Sequence, residues 1–382
     1  MVEGRPGVEP QFRRILAVKL SDLGDLLAVT PALQAVRAAH PAARIDLLVP
    51  PSSAGLLQGA SFLDRIVTFD KFPFDTLQSL FDVRGGARAL AFLLKLRMSG
   101  YDALLIFHHL TLRWGSLKFG MLSVASGARV KAGLDNGRGR FLNRRAIDSG
   151  FGAMHEVDYW LQVAALVGAD AYGGWKPQLP VSKGNREKAT ELLDVLGGDG
   201  SPLVAIHSGA GAYSRARIWG IEGFGEVARE LARKYNARIV IVGGPDEREV
   251  AARLEGIIGE VSALNLAGQT SIHVTAAVLE RCDLFVGNDS GPMHIAAAMG
   301  VPVVAVFGPS NSNAWGPYTP PMEDSKHKIV ARDLPCMPCF YRNHSLGLRE
   351  GCGPRPCLTG LPASAVLAAC EEVLNKCLIQ NS

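Results

Sequence analysis

The chain has 382 residues, a formal net charge of +4 and 48% hydrophobic residues. That length suits two domains of ordinary size, and the balance of charge and apolar content excludes a disordered chain. No continuous apolar run reaches the about 18 residues of a transmembrane helix, and the opening MVEGRPGVEPQFRR lacks the apolar core of a signal peptide. Residues 1–13 therefore read as a loose extension, and the protein is expected in the cytoplasm.

Alternation of strand and helix begins at Arg14. RILAVK, residues 14–19, reads as a strand, Leu20-Ser21-Asp22-Leu23-Gly24-Asp25 as a turn, and LLAVTPALQAVRAAHP as a helix ending near His40-Pro41. ARIDLLVP is the next strand, and SAGLLQGASFLDRIVTFD adds a helix and a strand. This order argues an α/β fold with a parallel, doubly wound sheet. Asp25 then stands near the carboxyl end of a strand, where open sheets hold function; its bland alternative is a helix N-cap. In LQSLFDVRGGARALAFLLKLRM, residues 77–98, the half from Ala87 forms a helix with Leu and Phe on one side and Arg88, Lys95 and Arg97 elsewhere. It either packs on the core, the usual fate of an amphipathic helix, or rests on a membrane surface. DALLIFHHL is a further strand; His108 and His109 would point to opposite faces, which argues against a shared metal. Between Arg84 and Arg145 there are twelve Lys and Arg against two Asp. Such a bias suits an anionic partner (a phosphorylated glycolipid, an acidic membrane surface or nucleic acid) or is an ordinary solvated surface, and no DNA- or RNA-binding motif favours nucleic acid.

Residues 169–202 are rich in Gly, Pro and polar side chains, apart from a helix expected at Asn185–Leu196. The domain boundary falls here: residues 14–175 form one domain, 176–201 a linker region with a helix, and 202–382 a second domain. PLVAIHSGA runs from strand into a loop, His207-Ser208-Gly209-Ala210-Gly211-Ala212, that is short of side chain and rich in N–H groups. Such a loop can approach a diphosphate closely, although it is neither a Walker loop nor GxGxxG. After the helix GFGEVARELARKY, ARIVIVGG is a strand ending in Gly243-Gly244-Pro245-Asp246-Glu247. A third unit leads into LFVGNDSGPMHIAAAMGVPVVAVFGP, residues 284–309, which reads as strand, turn, helix, turn, strand. Asp289-Ser290-Gly291-Pro292 looks like a helix start, with Asp or Ser as cap and Pro in the first turn. A helix start at the carboxyl end of a parallel strand is a natural phosphate site, or simply a capped turn. Cys336-x-x-Cys339, with Cys352 and Cys357, has a zinc-like spacing; the alternatives are free thiols or a labile disulfide, a permanent one being disfavoured in a reducing compartment. Cys370 and Cys377 read as packing residues of a terminal helix.

Asp289-Ser290-Gly291-Pro292-Met293-His294 followed by GVPVVAVFGPS resembles the donor-site signature of glycosyltransferase family 9, the ADP-heptose–lipopolysaccharide heptosyltransferases. KLSDLGDLLAVTPAL is similar to the family's N-terminal motif, with Gly-Asp followed by Thr-Pro-Ala-Leu. The loop at 207–212 resembles its Gly-Ala loop, with Arg217 in place of the usual Lys, Gly220 in place of Pro, and Arg215 near enough to share the role. The resemblance covers about residues 14 to 365. It implies a GT-B architecture: two facing Rossmann-like domains with parallel doubly wound sheets, the first for the acceptor and the second for the nucleotide-sugar. It implies inverting, metal-independent transfer of heptose from ADP-heptose to the lipopolysaccharide inner core, with no cofactor and with Asp25 as general base. Donor contacts map to Ser208, Gly209, Ala210, Gly211, Arg217, Asp246, Glu247, Asp289, Ser290, Gly291 and His294, and acceptor contacts to Lys19, Ser21, Arg113 and His155. The implied partners are the nucleotide-sugar, an anionic lipid A–core acceptor and the cytoplasmic surface of the inner membrane, peripherally, with no nucleic acid. The rival readings are a GT-B nucleotide-sugar epimerase, a non-catalytic carbohydrate- or lipid-binding relative, and a heptosyltransferase acting on a protein.

Overall fold

A computed structural model describes residues 11–381 apart from 22, 70–82, 199, 212 and 213. Most of the expected N-terminal extension, Asp22 and Ala212 thus lie outside the described residues. The chain forms two compact units: the part up to Gly150 with Glu156–Trp175, and Phe151–His155 with the part from Lys176 onward.

The first unit is a six-stranded parallel sheet in the order β3-β2-β1-β4-β5-β6. Its strands are β1 (Arg14–Val18), β2 (Arg44–Val49), β3 (Arg65–Thr68), β4 (Ala103–Ile106), β5 (Val130–Asp135) and β6 (Arg144–Ile147). The central strands β1 and β4 are almost wholly buried, because helices cover both faces, so their sequences are runs of apolar residues rather than alternations. The helices are α1 (Leu23–Ala39), α2 (Val83–Met98), α3 (Arg113–Ser126) and α4 (Glu156–Ala165). Pro31 lies inside α1. It cannot donate to the Leu27 carbonyl four residues back, and the Thr30 hydroxyl takes that carbonyl instead at 2.8 Å. This keeps a deeply buried helix continuous through a proline, and α1 packs along α4. Helix α2 packs Phe92, Leu93 and Leu96 on the core and leaves Leu90, Leu94 and Met98 exposed.

The second unit repeats the strand plan, in the order β12-β11-β10-β7-β8-β9. Its strands are β7 (Leu203–His207), β8 (Arg238–Ile241), β9 (Ala263–Asn265), β10 (Leu284–Asn288), β11 (Val303–Val306) and β12 (Lys328–Val330). Its helices are α5 (Lys183–Leu193), α6 (Ile221–Tyr235), α7 (Arg248–Ile258), α8 (Ile272–Leu279), α9 (Gly291–Ala298), α10 (Ser312–Trp315), α11 (Pro356–Thr359) and α12 (Ala363–Asn381). The helix expected at Asn185–Leu196 is α5; it starts two residues earlier, where Ser182 accepts from the Asn185 N–H, and it packs on α8. In each unit the first and fourth strands lie side by side, which is where the strand order reverses and where open sheets bind ligands. Among the described residues no helix is long and apolar enough to cross a membrane.

Candidate functional site

In the second unit β7 and β10 are neighbours, so the loop after His207 meets the turn after Asn288. Asn288 is fully buried, and its side-chain amide donates to the carbonyls of Ser208 (3.0 Å) and Gly209 (2.9 Å). Arg217 holds the next carbonyl, that of Ala210, at 3.0 Å. Three successive carbonyls are therefore tied down by side chains, which fixes the peptide planes of the glycine loop. A Cβ at Gly209 would lie 1.8 Å from Oε1 of Glu247, so a side chain there would push Glu247 from its place.

Glu247 braces the same loop. Its Oε2 accepts from the Gly244 N–H (2.8 Å) and pairs with His207 Nε2 (2.9 Å), and its Oε1 accepts from the Gly211 N–H (3.2 Å). Burial raises the Glu247 pKa, but the bond and charge of His207 and the two amides outweigh it and bring it to about 2. Both carboxylate oxygens accept bonds within the protein, so Glu247 holds the loop. The Gly211 N–H, expected to face phosphate, is taken by Glu247. Asp246 beside it is exposed.

The expected helix cap is not formed. Ser290 flanks α9 but makes no side-chain cap; its hydroxyl lies 3.0 Å from His207 Nδ1. The Asp289 carboxylate is drawn instead to the Arg217 guanidinium, at 3.2 Å. Both side chains are recruited by other partners, and α9 starts without a side-chain cap. Arg217, only partly exposed, is thus held beside an uncapped helix start, while Arg215 is exposed. His294, one turn into α9, is pushed down to about 4 by burial, with Asp289 opposing and His155 and Arg217 assisting. It is a neutral imidazole at pH 7.

In the first unit the chain leaving β1 carries Lys19, which is only 3% exposed. Its Nζ lies 3.9 Å from Oδ1 of Asp25 and 4.1 Å from the centre of the Trp160 ring. Burial lowers the Lys19 pKa, against the pull of Asp25 and Glu156. Asp25 is the third residue of α1 rather than its cap, and its side chain keeps 28% exposure. Behind this pair, His109 stands between Glu156 (Nε2 to Oε1, 3.0 Å) and Asp148 (Nδ1 to Oδ1, 2.9 Å). Burial would lower the His109 pKa; the two carboxylates win and raise it to about 9. Lys19 and the Asp25 carboxylate thus face each other, with the aspartate partly open to water.

Of the other expected residues, Ser21 accepts at its carbonyl from the Ser53 hydroxyl at 3.1 Å. Arg113 opens α3 and is exposed. His155 folds with the second unit, its Nε2 2.9 Å from the Gly316 carbonyl and its ring against Tyr318. The sequence reading missed Asn288, Asp148, Trp160 and the pairing of His109 with Glu156. The one available signal was the His108-His109 pair at a strand end: His108 meets the Leu20 N–H and His109 faces its two carboxylates, as alternation requires. The cysteines are all free, Cys336, Cys339 and Cys352 exposed and Cys357 buried. Among the described residues no group of three or more His, Cys, Asp or Glu is arranged to hold a metal, so the zinc-like spacing has no corresponding ligand set.

Two parallel sheets of the same strand order, each with a polar cluster where that order reverses, define a protein of the GT-B class with two Rossmann-like domains. The chain belongs to glycosyltransferase family 9 (heptosyltransferase), whose family model matches residues 90–349. It is 33% identical over 147 residues to lipooligosaccharide heptosyltransferase 2 of Campylobacter jejuni, a match covering 38% of this chain and 44% of that protein. The chain thus matches less than half the length of that relative. It is 25% identical over 318 residues to the lipopolysaccharide core heptosyltransferase OpsX of Haemophilus influenzae, covering 80% of this chain and 82% of that one. In fold it is similar to E. coli heptosyltransferase WaaC with ADP, with a TM-score of 0.65, 22% identity, and coverage of 94% of this chain and 99% of the other.

Proposed function

We propose that the protein transfers heptose from ADP-heptose to the inner core of lipopolysaccharide, with inversion and without a metal ion. The observation that carries this reading is Arg217, fixed by Asp289 beside the uncapped start of α9. A diphosphate leaving group gains negative charge in the transition state, and a preset guanidinium with helix amides offsets it without reorganising. Structures of E. coli heptosyltransferase WaaC contain ADP and ADP-2-deoxy-2-fluoro heptose, which supports an ADP-sugar donor. The neutral His294 lies one turn away on the same helix, and serves as a hydrogen-bonding partner for the sugar or the phosphate.

Displacement by an acceptor hydroxyl needs a base for its proton. Asp25 is that base, its carboxylate facing Lys19, which is in turn drawn by Glu156 of the His109–Glu156–Asp148 cluster. The acceptor is an anionic lipid-linked oligosaccharide, met at the cytoplasmic face of the inner membrane. Arg113 and Lys19 supply positive charge for it.

The decisive assay uses Asp25→Ala. ADP affinity should stay near wild type while heptose transfer falls by about 100-fold or more, the usual contribution of a general base. Turnover at the wild-type rate would remove Asp25 from the chemistry. Mass spectrometry of lipopolysaccharide from cells lacking the protein should show a missing core heptose, and an unchanged core would refute the substrate.

A further inference from the structure

Helices α2 and α3 of the first unit each carry an apolar stripe on the outer side. Inward, Phe92, Leu93 and Leu96 of α2 and Phe119 and Leu122 of α3 join one core. Outward, α2 exposes Leu90, Leu94 and Met98, spaced four residues apart, and Met98 is 78% exposed. Helix α3 exposes Trp114, Leu117, Met121 and Val124, at alternating spacings of three and four, with Trp114 63% and Val124 71% exposed. Both spacings trace one line along a helix. The helices pack on each other, and the Arg97 guanidinium fills the space left by the missing side chain of Gly127 at the end of α3. The two stripes therefore form one surface.

That surface is positively charged as well as apolar. Arg88, Lys95, Arg97 and Arg113 are exposed around it, and neither helix contains an Asp or Glu. Large apolar side chains exposed in a contiguous patch mark a contact surface. A second copy of the chain would bring the exposed cations of these two helices against themselves, since a twofold interface apposes the same patch on both partners. An anionic surface with an apolar interior meets both requirements.

We propose that this face docks on anionic phospholipid, with the apolar stripes at the boundary between headgroups and acyl chains and the basic residues among the phosphates. Trp114 sits at headgroup depth, where aromatic rings that are apolar with a polar edge are favoured. This deepens the reading of a lipid-linked acceptor and rests on it for the choice of a membrane.

The test is co-sedimentation of the full chain with phosphatidylcholine vesicles with and without phosphatidylglycerol. Binding should require phosphatidylglycerol, weaken with salt, and shift Trp fluorescence to shorter wavelength. Leu94→Glu/Leu117→Glu should lower partitioning by about tenfold or more with ADP affinity retained. Equal binding by that variant, or equal binding to both vesicle types, would overturn the proposal. So would a wild-type dimer in sedimentation velocity that the variant splits, because the face would then pair copies of the chain. Arg88→Gln/Lys95→Gln leaves the apolar stripes intact and should lose the preference for phosphatidylglycerol; if the first variant folds poorly, an undiminished preference in this one overturns the proposal by itself. Vesicle binding is read without sugar transfer, so failure here leaves the transfer reading standing, and failure of transfer leaves docking standing.

Discussion

Glu247 offers the sharpest test of how the glycine loop is held. Replacing it with Gln keeps the shape but removes the charge that faces His207 Nε2 at 2.9 Å. Its pKa falls from 4.5 to about 2 in the folded protein. Each pKa unit is worth about 1.4 kcal/mol, so the full shift is about 3 kcal/mol. The carboxylate is not fully enclosed, and screening by water reduces this to about 2 kcal/mol. Because folding depresses this pKa, the stabilisation is complete above about pH 4.5 and is lost as pH falls towards 2. Urea unfolding of wild type and Glu247→Gln, run in parallel from pH 7 to pH 3, measures it. The difference should be about 2 kcal/mol at pH 7 and less than half of that by pH 3. A gap that stays constant across this range, or widens in acid, would show that the carboxylate is not what braces the loop.

Gly209→Ala should weaken ADP binding by about tenfold or more in calorimetry, because its Cβ would meet Glu247 Oε1 at 1.8 Å and displace the brace; wild-type affinity would show that the loop tolerates the shift. Arg217→Ala should weaken ADP binding and also destabilise the fold, by about 3 kcal/mol, since it leaves the buried Asp289 carboxylate uncompensated. Adding Asp289→Ala should restore most of the stability but none of the ADP affinity; recovery of both would assign Arg217 a purely structural role. Folding raises the His109 pKa from 6.5 to about 9, so its stabilisation is complete below pH 6.5 and is lost as pH rises through 9. Thermal melts of wild type should fall across that window while those of His109→Asn stay flat, and parallel curves would refute the charge cluster.

What could be read from the chain is what local pattern determines. The run LFVGN and the Ala-rich helix after it are visible as periodicity, and they appear as β10 and α9 within a residue or two. Gly24-Asp25, expected to end a turn, lies in the first turn of α1, which begins at Leu23. What could not be read depends on strand order. Asn288 looks like the last residue of a strand, and it acts as a clamp only because β7 lies beside β10, which brings a loop eighty residues earlier under its amide. Asp289 and Ser290 look like caps by composition, but a cap is only one of the bonds a short polar side chain can make, and Arg217 and His207 compete for them. Glu156 is legible as a helix start, yet its charge pairs with His109, 47 positions away.

The Ser290 hydroxyl meets His207 and gives α9 no side-chain cap, so in the proposed reading a bound diphosphate would supply acceptors to the opening turn. Occupancy and folding of the second unit are then thermodynamically linked. A species that completes this turn binds the native form alone, and it raises the melting temperature as the logarithm of its concentration. If the proposed diphosphate site is right, one corner of the secondary structure is finished by a molecule the chain does not encode.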